Sequence, residues 1–164
     1  MFEKIRKMKN QKGFTLVELI VVLVILAILA AMLVPALTGY IDKANDQKII
    51  AATRQVVMAA QTEVSEAYAS KTLTNNTTIT IDGTAKTITP NPNTATQVDG
   101  KEIVKLAEVA KLGTGDAFDG LKNGIKTIKI TYTDKGHVSK VELTQGTKTC
   151  IYTEGAEENY TVNP

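Results

Sequence analysis

A single carboxylate, Glu18, lies inside the run FTLVELIVVLVILAILAAMLV at residues 14–34, where Thr15 is the only other polar side chain. An ionised group in so apolar a stretch is costly unless it is paired, and such groups usually mark function. Glu18 therefore calls for a cation, yet no Lys, Arg or His lies between Phe14 and Tyr40. Cutting the chain after Gly13 would create one, an ammonium on Phe14 at the same depth as the carboxylate. The other reactive residue types form no constellation. His137 is the only histidine, sits beside a turn without an evident partner, and reads as a surface side chain. Cys150 is the only cysteine, which excludes an intrachain disulfide and reads as a half-buried strand residue. Asp116, Asp119 and Asn123 offer oxygen ligands in a glycine-rich loop, but their spacing is not that of an EF-hand, so an ordinary acidic turn is expected, with calcium as its alternative. Gly113-x-Gly115 lacks the strand-to-helix setting of a nucleotide loop. With no nucleophile–base pair and no metal cluster, the chain does not read as an enzyme, and no cofactor is expected.

The element that must position Glu18 is a helix. Twenty-one residues at about 1.5 Å each span roughly 31 Å, the thickness of a bilayer's hydrocarbon core. Ahead of it, five basic residues against Glu3 give residues 1–13 a charge of +4, so the rest of the chain carries −2 of the total of +2. The basic run should remain cytoplasmic, leaving the sequence beyond about residue 37 outside. A secretory signal peptide has a similar outline, but this run is too long and no well-placed small-x-small site closes it. A plain signal anchor gives no reason for the carboxylate.

Lys12-Gly13-Phe14-Thr15-Leu16-Val17-Glu18, followed by the apolar run, resembles the class III signal of type IV prepilins and pseudopilins. The resemblance implies cleavage by a prepilin peptidase between Gly13 and Phe14, N-methylation of Phe14, and a salt bridge from Glu18 to the Phe14 amine of a neighbouring subunit during assembly. Pro35 and Ile41-Asp42-Lys43-Ala44 continue the likeness, which beyond about residue 70 becomes one of architecture alone. Many family members close their C-terminal region with two cysteines, and this chain departs from them in having one. The major pseudopilins of secretion systems bind calcium in a late loop, which is what makes Asp116, Asp119 and Asn123 candidates.

Pro35 removes a helical donor and Gly39 loosens the same region, so a helix break or kink is expected there, either as a segment that extends under tension or as a static kink. After Gly39, Ile41, Ala44, Ile49, Ala52, Val56, Ala59, Ala60, Val64 and Ala67 recur at mostly three- and four-residue steps, a narrow stripe of small apolar residues. The two halves predict a helical stem of about 55 residues, roughly 80 Å long. Ile79–Ile88 alternates around Asp82-Gly83 as a hairpin. Pro90-Asn91-Pro92-Asn93 reads as a loop, and Asp99-Gly100-Lys101-Glu102 as the start of a helix whose apolar face is Ile103, Leu106, Ala107 and Ala110. Residues 125–133, 138–144 and 148–153 predict a three-stranded meander whose apolar face covers the stem.

The expected fold is α+β, a long N-terminal helical stem packed against a small antiparallel β-sheet head. Its expected divisions are a leader (1–13), a membrane-spanning or filament-core helix (14–37), an amphipathic stem (38–70) and a β-rich head (71–164). The expected function is structural: a major pilin that polymerises through its helix into a surface fibre, with the membrane, the peptidase and an assembly platform and ATPase as partners. A pseudopilin of protein secretion or DNA uptake is the nearest alternative. A ligand- or DNA-binding tip protein would need a basic or aromatic patch, and the head offers only scattered lysines and few aromatics, so nucleic acid is not an expected partner.

Overall fold

The computed structural model describes residues 13–70, 73, 77–89 and 98–164. The leader up to Lys12 and the Pro90–Asn93 loop lie outside the described residues, as does the side chain of Asp116.

Helix α1 runs from Leu16 to Ala69, 54 residues, with Pro35 inside it. The break expected at Pro35 and Gly39 is therefore not a break in the helix. A proline removes one donor, the one that would serve the Ala31 carbonyl, and leaves the remaining ladder in place; one turn on, Thr38 Oγ1 donates to the Pro35 carbonyl at 2.9 Å. The helix ends instead at Ser70, whose N–H and hydroxyl both reach the Glu66 carbonyl, at 3.0 and 2.6 Å.

The chain divides into two compact units, Met1–Lys43 and Ala44–Pro164. In the first, the described part of α1 is solvent-exposed along its whole apolar length, from Leu16 to Ile41. It is long and apolar enough to cross a membrane, with a mean hydropathy of 3.2 over an 18-residue stretch.

The second unit holds the rest of α1, a short helix and all the strands. Strands β1 (Thr77–Asp82) and β2 (Thr87–Thr89) form the expected hairpin, closed by Asp82 Oδ1, which accepts from the Thr84 and Ala85 amides at 2.8 and 2.9 Å. After α2 (Gly100–Leu106) come β3 (Ala110–Leu112) and β4 (Phe118–Leu121), which pair with each other. The meander β5 (Ile125–Tyr132), β6 (Val138–Gln145) and β7 (Lys148–Thr153) is as expected, and β8 (Tyr160–Asn163) extends it. The six-stranded sheet has the order β2-β1-β5-β6-β7-β8, with every neighbouring pair antiparallel.

Register explains the core. One row across the sheet is Ile81, Ile128, Leu143, Cys150 and Val162; the next is Ile79, Ile130, Val141, Tyr152 and Tyr160. These rows share one face because side chains alternate along a strand. The face is covered by the stripe of α1 at Ile49, Thr53, Val56, Ala60 and Val64, at most 1% exposed. Thr53, the buried polar exception, donates to the Ile49 carbonyl at 2.8 Å. Each fully buried aliphatic contributes about 1.5–3 kcal/mol. Polar contacts fix the helix laterally: Gln61 Nε2 donates to the Gly136 carbonyl (2.7 Å), the Val138 amide donates to Gln61 Oε1 (3.0 Å), and Lys148 Nζ meets Asp46 Oδ1 at 2.6 Å. Gly136 has φ +81°, and a Cβ there would fall 2.9 Å from the Tyr68 side chain, so the β5–β6 turn approaches α1 only because glycine occupies it.

Two local expectations are corrected. The helix after Asp99 begins as expected, with Asp99 Oδ1 accepting from Lys101 N at 2.8 Å, but it stops at Leu106. Glu108 takes φ +57° and turns the chain, Ala110 enters β3, and Leu106 is 51% exposed rather than part of the apolar face. Cys150 is fully buried, not half-buried. Burial pushes its thiol pKa up, against smaller lowering effects of a Thr53 hydrogen bond and the Arg54 charge. Little thiolate is then present and none is accessible. A thiol-directed alkylating reagent is accordingly expected to leave native protein unlabelled and to add one equivalent on unfolding, read by mass spectrometry; rapid native labelling would contradict the packing.

An acidic cluster on the same unit is also pH-sensitive. Burial, then Glu66, Glu102 and Asp99, raises the Glu63 pKa. The folded state therefore binds a proton more readily than the unfolded chain, so this group's contribution is present at low pH and is lost as pH rises through the raised value. Glu63→Gln should raise the melting temperature at neutral pH and leave it unchanged in acid. Equal effects at both pH values would exclude the electrostatic origin.

Candidate functional site: the N-terminal end of the apolar helix

Gly13, Phe14 and Thr15 precede α1 in non-helical backbone. Among the described residues nothing lies within 4 Å of where a Gly13 Cβ would be, and Phe14 is 89% exposed. The Gly13–Phe14 peptide bond is thus outside the helical hydrogen-bond ladder.

Thr15 is the N-cap. Its carbonyl accepts the first helical bond, from Leu19 N at 3.2 Å. Its Oγ1 accepts from Glu18 N at 3.2 Å, while Glu18 Oε2 accepts from Thr15 N and from Thr15 Oγ1, both at 2.8 Å. This is the reciprocal capping box, a Thr followed three residues later by Glu, in which side chains satisfy amides that the first turn leaves without partners. In an apolar segment those amides have no water to turn to, so the box matters more than on a soluble helix. The negative carboxylate also lies at the positive end of the helix dipole.

The sequence reading missed Thr15, although Thr15-x-x-Glu18 has the same pattern that marked Asp99 as a cap. Its significance is that Glu18 has a partner within its own chain. Only Oε2 is engaged; among the described residues Oε1 accepts no hydrogen bond and could accept a cation. The bonds also survive a cut after Gly13, because Thr15 N belongs to the Phe14–Thr15 peptide.

Of the candidate calcium residues, the side chain of Asp116 lies outside the described residues. Asp119 Oδ1 lies 2.5 Å from Lys86 Nζ, and that hydrogen bond and charge hold its carboxyl below the usual range. Asn123 sits in the turn after β4, and its backbone carbonyl accepts from Gln145 Nε2 at 2.6 Å. Asp116 closes the 3₁₀ turn Thr114–Asp116. Among the described residues no group of three or more His, Cys, Asp or Glu side chains could hold a metal ion. His137, expected without a partner, places Nδ1 3.7 Å from Glu154 Oε1 at the exposed β5–β6 turn. Of the scattered lysines, Lys140 pairs with Glu142 and Lys148 with Asp46, each at 2.6 Å.

No curated protein and no solved structure matches the chain. Residues 8–34, spanning Gly13–Phe14, the capping box and the whole apolar run to Val34, match the prokaryotic N-terminal methylation motif. The chain therefore carries at its N-terminus the class III signal of type IV pilins and pseudopilins.

Proposed function

We propose that the chain is a major type IV pilin, a structural subunit rather than an enzyme. It would be made as a single-pass precursor in the cytoplasmic membrane, cut by a prepilin peptidase between Gly13 and Phe14, methylated on Phe14, and polymerised by an assembly platform and its ATPase into a surface fibre. The observation that carries this reading is the pairing of an exposed apolar helix with one carboxylate at its N-terminal end, half satisfied by its own cap and half open.

That geometry refines the assembly step. A membrane-held subunit does not carry a bare carboxylate, because Thr15 satisfies Oε2. Docking beside a neighbour whose Phe14 amine has been freed would place an ammonium against Oε1, and in a low-dielectric setting that attraction is strong enough to choose the register. Apolar contact between helices would supply adhesion, and Glu18 the alignment.

Deleting the gene and imaging the cell surface tests the proposal. Fibres that vanish on deletion and return on complementation support the pilin. Intact fibres with lost protein secretion or DNA uptake would assign the same N-terminus to a pseudopilus.

A further inference from the structure

We propose that Asn123 is a site of spontaneous deamidation through a succinimide, gated by the side chain of Gln145. Four Asx-Gly dipeptides lie among the described residues: Asp82-Gly83, Asp99-Gly100, Asp119-Gly120 and Asn123-Gly124. The first three have occupied carboxylates. Asp82 accepts from Thr84 and Ala85, Asp99 from Lys101, and Asp119 from Lys86. Gly83 N is also spent, donating to the Lys126 carbonyl at 2.7 Å.

Asn123 differs in each respect. It is exposed, its carboxamide makes no hydrogen bond among the described residues, and a carboxamide is a better electrophile than an ionised carboxylate. It stands with Gly124 at the centre of a turn closed by Ile125 N donating to the Lys122 carbonyl at 3.1 Å. Both central residues have positive φ, +56° and +73°, which makes this a type I′ turn. Among the described residues Gly124 N makes no hydrogen bond and no atom lies within 4 Å of where a Gly124 Cβ would be, so the attacking nitrogen is unbonded in an exposed turn.

The reaction balances without an oxidant. Gly124 N gives up its proton and bonds to Asn123 Cγ; the Cγ–Nδ2 bond breaks and ammonia leaves. Water then opens either imide C–N bond, giving aspartate or isoaspartate and one new negative charge. Before attack the turn must open, and three bonds resist this: the Ile125–Lys122 closure, Gly146 N to the Gly124 carbonyl (3.3 Å), and Gln145 Nε2 to the Asn123 carbonyl (2.6 Å). The last comes from a half-buried side chain at the end of β6 and is the shortest, so it sets how often the turn opens.

Full-length protein in detergent, incubated in mildly alkaline buffer and mapped by peptide mass spectrometry, should gain one dalton on the peptide containing Asn123. An isoaspartate-specific methyltransferase should label that peptide, and the rate should fall in mildly acidic buffer. Gln145→Ala should accelerate the gain about threefold to tenfold, the effect of losing one hydrogen bond from the closed turn. No gain at Asn123 in the wild-type protein, or a rate independent of pH, would overturn the site. An unchanged rate in Gln145→Ala would overturn the gating.

Discussion

Glu18→Val and Glu18→Gln should both give cleaved, membrane-held protein and no surface fibres, whereas Thr15→Val should give fewer fibres but not none. The three substitutions separate the two roles of the carboxylate. Valine removes both the charge and the bond to Thr15 N. Glutamine keeps a side-chain oxygen able to complete the capping box but cannot pair with an ammonium. Thr15→Val takes away the hydroxyl that holds Oε2 and caps Glu18 N, and leaves the charge. Losing an N-cap costs about 1 kcal/mol. An ion pair away from water is worth more than that to a subunit whose partner amine would otherwise stay buried and unpaired. Immunoblots for the processed form and electron microscopy for fibres read the outcome. Normal fibres on Glu18→Gln cells would show that capping is the whole role of Glu18. Loss of cleavage in either Glu18 variant would place that residue in peptidase recognition instead.

The sequence made the ends of this argument visible and hid its middle. Glu18 stood out because charge in an apolar run is rare, and the run's length alone specified a helix able to span a bilayer. The capping box was less visible because Thr15-x-x-Glu18 sits at the edge of the apolar run, where the lone charge of Glu18 is the stronger signal. In the head, alternation across Ile125–Thr153 and the Asp82-Gly83 turn located five strands, because period-two patterning and turn chemistry are local signals. β3, β4 and β8 were not legible. β3 and β4 are three and four residues long and exist by pairing with each other. β8 follows the Glu- and Gly-bearing segment at residues 154–158 and is specified by pairing Tyr160 and Val162 with Tyr152 and Cys150. Glu108 at φ +57°, which stops α2 short, has no sequence signature, since glutamate is not a residue that favours that conformation. Pro35, a breaker by propensity, lies inside α1 without ending it, since it removes only one bond from a long helix.

The head should be as vulnerable at Leu143 as the N-terminus is at Glu18, and by an independent route. Leu143 is 0% exposed at the centre of the inner row, opposite Ile128 on β5 and Cys150 on β7, under the Val56–Ala60–Val64 stripe of α1. Truncation to alanine leaves a cavity that a pleated sheet cannot collapse without breaking register on both sides, so the cost should fall at about 2–5 kcal/mol. Against a total stability of about 5–15 kcal/mol, that is a large fraction. The melting temperature should drop on the order of 10 °C. Cys150 supplies the probe: in Leu143→Ala its thiol should become alkylatable at temperatures where the wild-type thiol is still silent. Processing should be unaffected, because the methylation motif ends at residue 34, far ahead of this core. The Glu18 variants should show the reverse pattern, with Cys150 protected as in wild type and fibres missing. A Leu143→Ala protein whose Cys150 stays protected to the wild-type melting temperature would mean that the row is not the centre of the core.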